Sequence, residues 1–99
     1  FDFFKQAIAE SMTKKRKLLE KILNNQKNIA FDDMVTLVEA FGFSRSRVSG
    51  SHYIFEHPNI PEIVNLQNRK GQAKPYQVRQ FLTLIEQYSL TLEDTEEEA

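Results

Sequence analysis

Between residues 34 and 85 the apolar period of the chain changes from 3.6 to 2 and back again. Met34, Leu37, Val38 and Phe41 stand at i, i+3, i+4 and i+7, and Val78, Phe81, Leu82 and Ile85 repeat the pattern. In between, FSRSRV (43–48) alternates, Ser49-Gly50 punctuates, and SHYIFEH (51–57) alternates again. After Pro58 and Pro61 the run IVNL (63–66) reads as a third strand. Three strands joined by short connections make an antiparallel meander. Both helical stripes need an apolar surface, and the same sheet face has to serve them. The expected fold is therefore α+β: two layers, a three-stranded antiparallel sheet with helices on one face.

The alternation also sorts side chains between the two faces. Tyr53, Phe55 and His57 share one side of the second strand, and His52, Ile54 and Glu56 share the other. Tyr53 and Phe55 are the bulky aromatic pair, which assigns them to the covered face. His52 and Ile54 then fall on the other face or its rim, with the arginines of 43–48 nearby.

Local signals mark the ends of these elements. Asp32 or Asp33 is expected to cap the helix that carries Met34 to Phe41. Gly42 suits a left-handed C-cap, with Phe43 folding back onto Val38. QNRKGQAK (67–74) surrounds a glycine with Arg69, Lys70 and Lys74 and reads as a mobile basic loop. Pro75 then suits the first turn of a helix whose stripe continues through Tyr88 to about Leu90.

Upstream, KKRKLLEKILNN has a narrow stripe of Leu18, Leu19, Ile22 and Leu23, with Thr13 as a possible N-cap and the Asn24-Asn25 pair at its end. It reads as an extra N-terminal helix lying on the outside of the domain. Its first turn gathers Lys14, Lys15, Arg16 and Lys17 against the macrodipole, a small cost. Such a cluster is commonly a solvated face; contact with phosphates is the alternative. A start at Met12 is expected, with residues 1–11 an appendage, residues 12–90 the domain and residues 91–99 a disordered acidic tail.

Charge and composition narrow the chemistry. Residues 12–90 carry twelve Lys and Arg against seven Asp and Glu, while the tail 91–99 carries five acids and no base. A basic folded part favours an anionic partner. The chain has no cysteine, which excludes disulfide scaffolds, thiol nucleophiles and cysteine zinc sites. No carboxylate or histidine cluster has metal-ligand spacing, so no metal or other cofactor is expected. No apolar run approaches the roughly 20 residues of a membrane helix, so a cytoplasmic protein without membrane contact is the expectation.

Histidine is the side chain that ordinarily titrates near neutrality, and the chain has two, both within GSHYIFEHP (50–58). His52 follows the Gly50-Ser51 turn; His57 precedes Pro58 and reads as a strand-end residue. A histidine beside a turn is commonly structural, and Gly50-Ser51 suffices as a hairpin turn. Arg45 and Arg47 are equally suited to blunting a sheet edge.

The order of these elements resembles the HicA family of toxins. The elements that match are FGFSRSRVSGSHYIFEHP, IVNL and KPYQVRQFL, spanning about residues 32–90. The resemblance implies a fold like that of double-stranded-RNA-binding domains and a small ribonuclease that cleaves messenger RNA. It also implies a HicB-type antitoxin that blocks the active site. The family's catalytic histidine follows the Gly-Ser pair and falls on His52. Many members have a second histidine next, where this chain has Tyr53.

Such chemistry is within reach of these residues. RNA carries its own nucleophile, the 2′-hydroxyl, so a general base and some cations suffice without metal. His52 is the candidate base. Arg45, Arg47, Arg69, Lys70 and Lys74, with Gly50 and Ser51 of the turn, are the candidate RNA contacts. Two other readings compete: a non-catalytic RNA-binding module of the same fold, and an interaction protein that keeps only the antitoxin-binding surface.

Overall fold

The computed structural model describes residues 14–92. Three helices, α1 (Lys14–Asn24), α2 (Phe31–Ala40) and α3 (Pro75–Tyr88), accompany four strands: β1 (Ser44–Ser49), β2 (His52–Glu56), β3 (Val64–Arg69) and β4 (Gln72–Ala73). The strands form one antiparallel sheet in the order β1-β2-β3-β4. The architecture is the expected two-layer α+β fold with one strand more. The appendage 1–11, the Thr13 cap and residues 93–99 of the tail lie outside the described residues.

Each helix ends as its residues dictate. Gly42 takes φ +94, its amide bonds the Glu39 carbonyl at 3.0 Å, and the Phe43 amide reaches the Val38 carbonyl at 3.4 Å. That is the expected left-handed termination of α2. At its other end α2 starts two or three residues earlier than a cap at Asp32 or Asp33 implies. Ala30 is the N-cap, without a side-chain cap bond, and Asp32 and Asp33 lie in the first turn, where they favour the positive end of the dipole. Pro75 opens α3 and Ser89 closes it in the left-handed region. Leu90 and Leu92 then pack against the core, so the chain remains attached two residues beyond the expected end at Leu90.

The core lies between one face of the sheet and the helices. Phe55, Val64 and Leu66 from the strands meet Met34, Leu37, Val38 and Phe41 of α2 and Val78, Phe81, Leu82 and Ile85 of α3 in one buried cluster. Side chains such as Phe55 and Phe81, almost fully buried, each contribute about 1.5–3 kcal/mol on burial. The α1 helix packs against α2 and adds Leu19 and Ile22 to the same cluster, with Leu18 and Leu23 half-buried against it. Tyr53 joins the covered face, its ring 4.8 Å from that of Phe31. Ile54 is buried but stands outside this cluster, on the opposite face of the sheet.

Two segments differ from expectation. Residues 67–74 are a β-hairpin, where a mobile basic loop was expected. β3 continues to Arg69, the chain turns at Lys70 (φ +54) and Gly71 (φ +85), and β4 returns. Two successive positive φ values define a type I′ turn, and the Asn68 side chain fixes it by accepting from the Gly71 amide at 2.8 Å. The other departure is a bulge in β1. Arg45 pairs with Phe55 and Arg47 with Ile54, so Ser46 is the extra residue. Its hydroxyl donates to the Ile54 carbonyl at 3.2 Å.

Candidate functional site

The β1–β2 connection is the shortest possible hairpin. Ser49 pairs with His52, leaving only Gly50 and Ser51 in the turn. Gly50 takes φ +60 while Ser51 stays out of the positive region, the pattern of a type II′ turn. A β-carbon on Gly50 would meet nothing within 4 Å, so the turn requires glycine for its backbone angle alone. This turn makes His52 the first residue of β2.

Register then determines what surrounds His52. Opposite it lie Ser49 on β1 and Gln67 on β3; the next row of the same face holds Arg47, Ile54 and Asn65. The His52 ring is exposed, with Nδ1 3.4 Å from the Asn65 side-chain oxygen. A contact of this kind favours the tautomer with the proton on Nδ1, leaving Nε2 free to accept. Asn65, within the run IVNL, is thus a candidate positioning residue that alternation alone could not single out. The cross-strand diagonal from Asn65 to His52 exists only once the β2–β3 register is known.

The bulge separates the two arginines that alternation expects together. Arg47 shares the face of His52, opposite Ile54. Arg45 faces the helical side, its guanidinium carbon 5.8 Å from the centre of the Tyr53 ring, a cation–π contact. Of the other candidate cations, Arg69 pairs with Gln72 on the His52 face, two residues along β3 from Gln67. Lys70 occupies the turn, and Lys74 is the half-buried N-cap of α3, in the helical layer.

The same end of the sheet gathers the starts of two helices. The Phe31 amide bonds the Gly71 carbonyl at 2.8 Å, and Ala30 bridges Gln72, which ties the start of α2 to the β3–β4 hairpin. Buried Gln77 in the first turn of α3 accepts from the Gln67 amide at 2.8 Å, satisfying a strand group next to which β4 has already ended. The positive ends of α2 and α3 therefore lie behind His52, adding to the field of Arg47, Arg69 and Lys70.

His57 has a structural setting. Its Nδ1 accepts from the Asn59 amide at 3.0 Å, and its ring packs edge-on against Phe43 at 5.0 Å, on the covered side. Among the described residues no three His, Asp or Glu side chains are grouped so as to hold a metal ion, and no helix is long and apolar enough to cross a membrane.

Comparison with known proteins gives one match. The family model described as the HicA toxin of bacterial toxin-antitoxin matches residues 31–87, more than half of the chain. It runs from the first residue of α2 to within one residue of the end of α3 and leaves α1 outside. No curated protein and no solved structure matches.

Proposed function

The chain belongs to the HicA toxin family, and from that premise we propose that it is a metal-independent endoribonuclease that cuts messenger RNA with His52 as general base. The observation that carries the reading is the setting of His52. It is an exposed imidazole at the head of a strand, held at Nδ1 by Asn65, with Arg47 and Arg69 on the same face.

In the proposed step Nε2 of His52 takes the proton of the 2′-hydroxyl, and the 2′-oxygen attacks the adjacent phosphorus. The P–O5′ bond breaks, the 5′-oxygen takes up a proton from water, and a cyclic 2′,3′-phosphate remains. Arg47, Arg69 and Lys70 offset the charge that grows on the phosphorane. Gly50 and Ser51 shape the turn that presents His52, while Arg45 and Lys74 flank the strand path from the helical side. As a member of a toxin–antitoxin family the chain pairs with an antitoxin. We assign that role to a HicB-type protein covering His52 and the β3–β4 hairpin.

The test is His52→Ala, followed by RNA cleavage, RNA affinity and thermal unfolding together. Cleavage should disappear while Tm and affinity, within a few fold, are kept, because an exposed side chain with one long contact contributes little to folding. Wild-type cleavage should survive EDTA and leave the cyclic phosphate. A variant that still cuts at the normal rate refutes His52 as the base. A wild-type protein that binds RNA without cutting it favours the non-catalytic module.

A further inference from the structure

The stretch that the family match leaves out carries the densest charge of the fold. Along α1, Lys14, Lys17, Leu18 and Lys21 stand at i, i+3, i+4 and i+7, so three lysines and a leucine share one face. That face lines a groove of about 450 Å³ against Asp33 and Thr36 of α2. Like charges one turn apart on a helix repel each other, so a row of lysines at this spacing favours an anionic neighbour. Among the described lining residues Asp33 is the one carboxylate. A row of positive charges repeating once per helical turn matches a polymer with a repeating negative charge better than it matches a single anion.

Position connects this groove to the site already described. Asp33 lies in the first turn of α2, and the start of α2 is bonded to the β3–β4 hairpin through Phe31 and Ala30. That hairpin carries Arg69 and Lys70, and Arg69 shares the face of His52. A cationic path thus leads from His52 over the hairpin to the Asp33 end of the groove. We propose that the α1–α2 groove is a second contact for the RNA backbone, so that a strand cut at His52 crosses the hairpin and continues along Lys21, Lys17 and Lys14. This rests on the reading of the protein as an RNA-binding toxin. It adds that long single strands are the preferred substrates and that α1 supplies the preference.

The experiment compares binding of uncleavable 2′-O-methyl RNA strands of about 4 and about 24 nucleotides. At roughly 3.4 Å or more per nucleotide the short strand covers only the surroundings of His52, and the long one exceeds the domain. The domain itself measures 38 × 29 × 29 Å. The variant is Lys17→Gln with Lys21→Gln, since glutamine matches lysine closely in helix propensity, and its Tm confirms folding. For the long strand, its log–log salt slope should fall by roughly 1.4, and its affinity at 0.1 M salt by about 25-fold, at ~0.7 per charge removed. The short strand should bind wild type and variant alike. An unchanged long-strand slope overturns the groove while leaving the ribonuclease reading intact. So does an equal loss per charge removed in Arg79→Gln, which would make net charge the cause. A variant that keeps RNA affinity but loses a purified HicB-type antitoxin would give the groove to the protein partner. Failure of the wild type to bind either strand would remove the RNA reading and this inference together.

Discussion

Replacing Phe55 by alanine, and separately Ile54 by alanine, tests the two-sidedness of the sheet on which the site depends. Phe55 is completely buried at the centre of the core cluster. Its truncation leaves a cavity between β2 and the helices and should cost about 3–5 kcal/mol. Ile54 is 8 % exposed yet outside that cluster, shielded only by its neighbours on the open face. Three carbons at about 0.8 kcal/mol each set a ceiling near 2.4 kcal/mol, and since water can refill the space the cost should be about 1–2 kcal/mol. A domain of about 80 residues has roughly 4–12 kcal/mol in total. At ~4–8 °C per kcal/mol, Phe55→Ala should lower Tm by roughly 12–40 °C and Ile54→Ala by roughly 4–16 °C. Urea denaturation of both variants, read by circular dichroism, gives the free energies directly. Equal costs would show that both faces of β2 are packed, in which case His52 would not stand on an open surface.

Two further expectations concern other parts of the molecule. Tyr88 donates to the Glu62 carboxylate at 2.6 Å, and this bond, then burial, then the Glu62 charge, raise its pKa above the usual 10.0. Because the folded value is the higher, the stabilisation is full below about pH 10 and fades as pH rises through the folded pKa; the Tm gap between wild type and Tyr88→Phe should therefore be flat up to pH 10 and narrow above it, and a gap constant beyond pH 11 would contradict this. For the antitoxin, titrating a HicB-type partner into the toxin–RNA complex should release RNA in proportion to the partner bound; a ternary complex with unchanged RNA affinity would exclude direct occlusion.

What the sequence reveals, and what it hides, follows from where apolar residues lie. The stripes of α2 and α3 repeat at 3.6 because each is buried along one side, and Gly42 and Pro75 mark boundaries by backbone angles that few other residues supply. In β2 the aromatic pair Tyr53 and Phe55 fixes the phase, so the faces of His52 and Ile54 are readable in advance. β1 offers no such anchor. All six of its residues are exposed, and the segment alternates serine with arginine, so no burial determines its phase and the bulge at Ser46 leaves no trace in the pattern. The β3–β4 hairpin is hidden for a different reason. Its turn places Lys70 at φ +54, where Asn or Asp is usual, and the Asn68 bond that secures the turn is a product of the fold.

The open face has a polarity that bears on how an anionic strand would meet it. His52 is flanked by neutral groups, Ser49 and Gln67 in its own row and Asn65 in the next, with Arg47 and Arg69 on the same face. The carboxylate of that face, Glu56, stands at the opposite end of β2, about 13 Å away at ~3.3 Å per residue. Glu62, engaged with Tyr88 at the end of α3, lies farther along the chain in the same direction. Both helices that cover the sheet begin near His52, so their dipoles reinforce the same sign at the same end. An incoming phosphate therefore meets a potential that rises toward the Gly50 turn and the β3–β4 hairpin, the side from which the path to α1 leaves. The extra helix, placed outside the matched domain but against the start of α2, extends that gradient where the sheet itself has run out of cations.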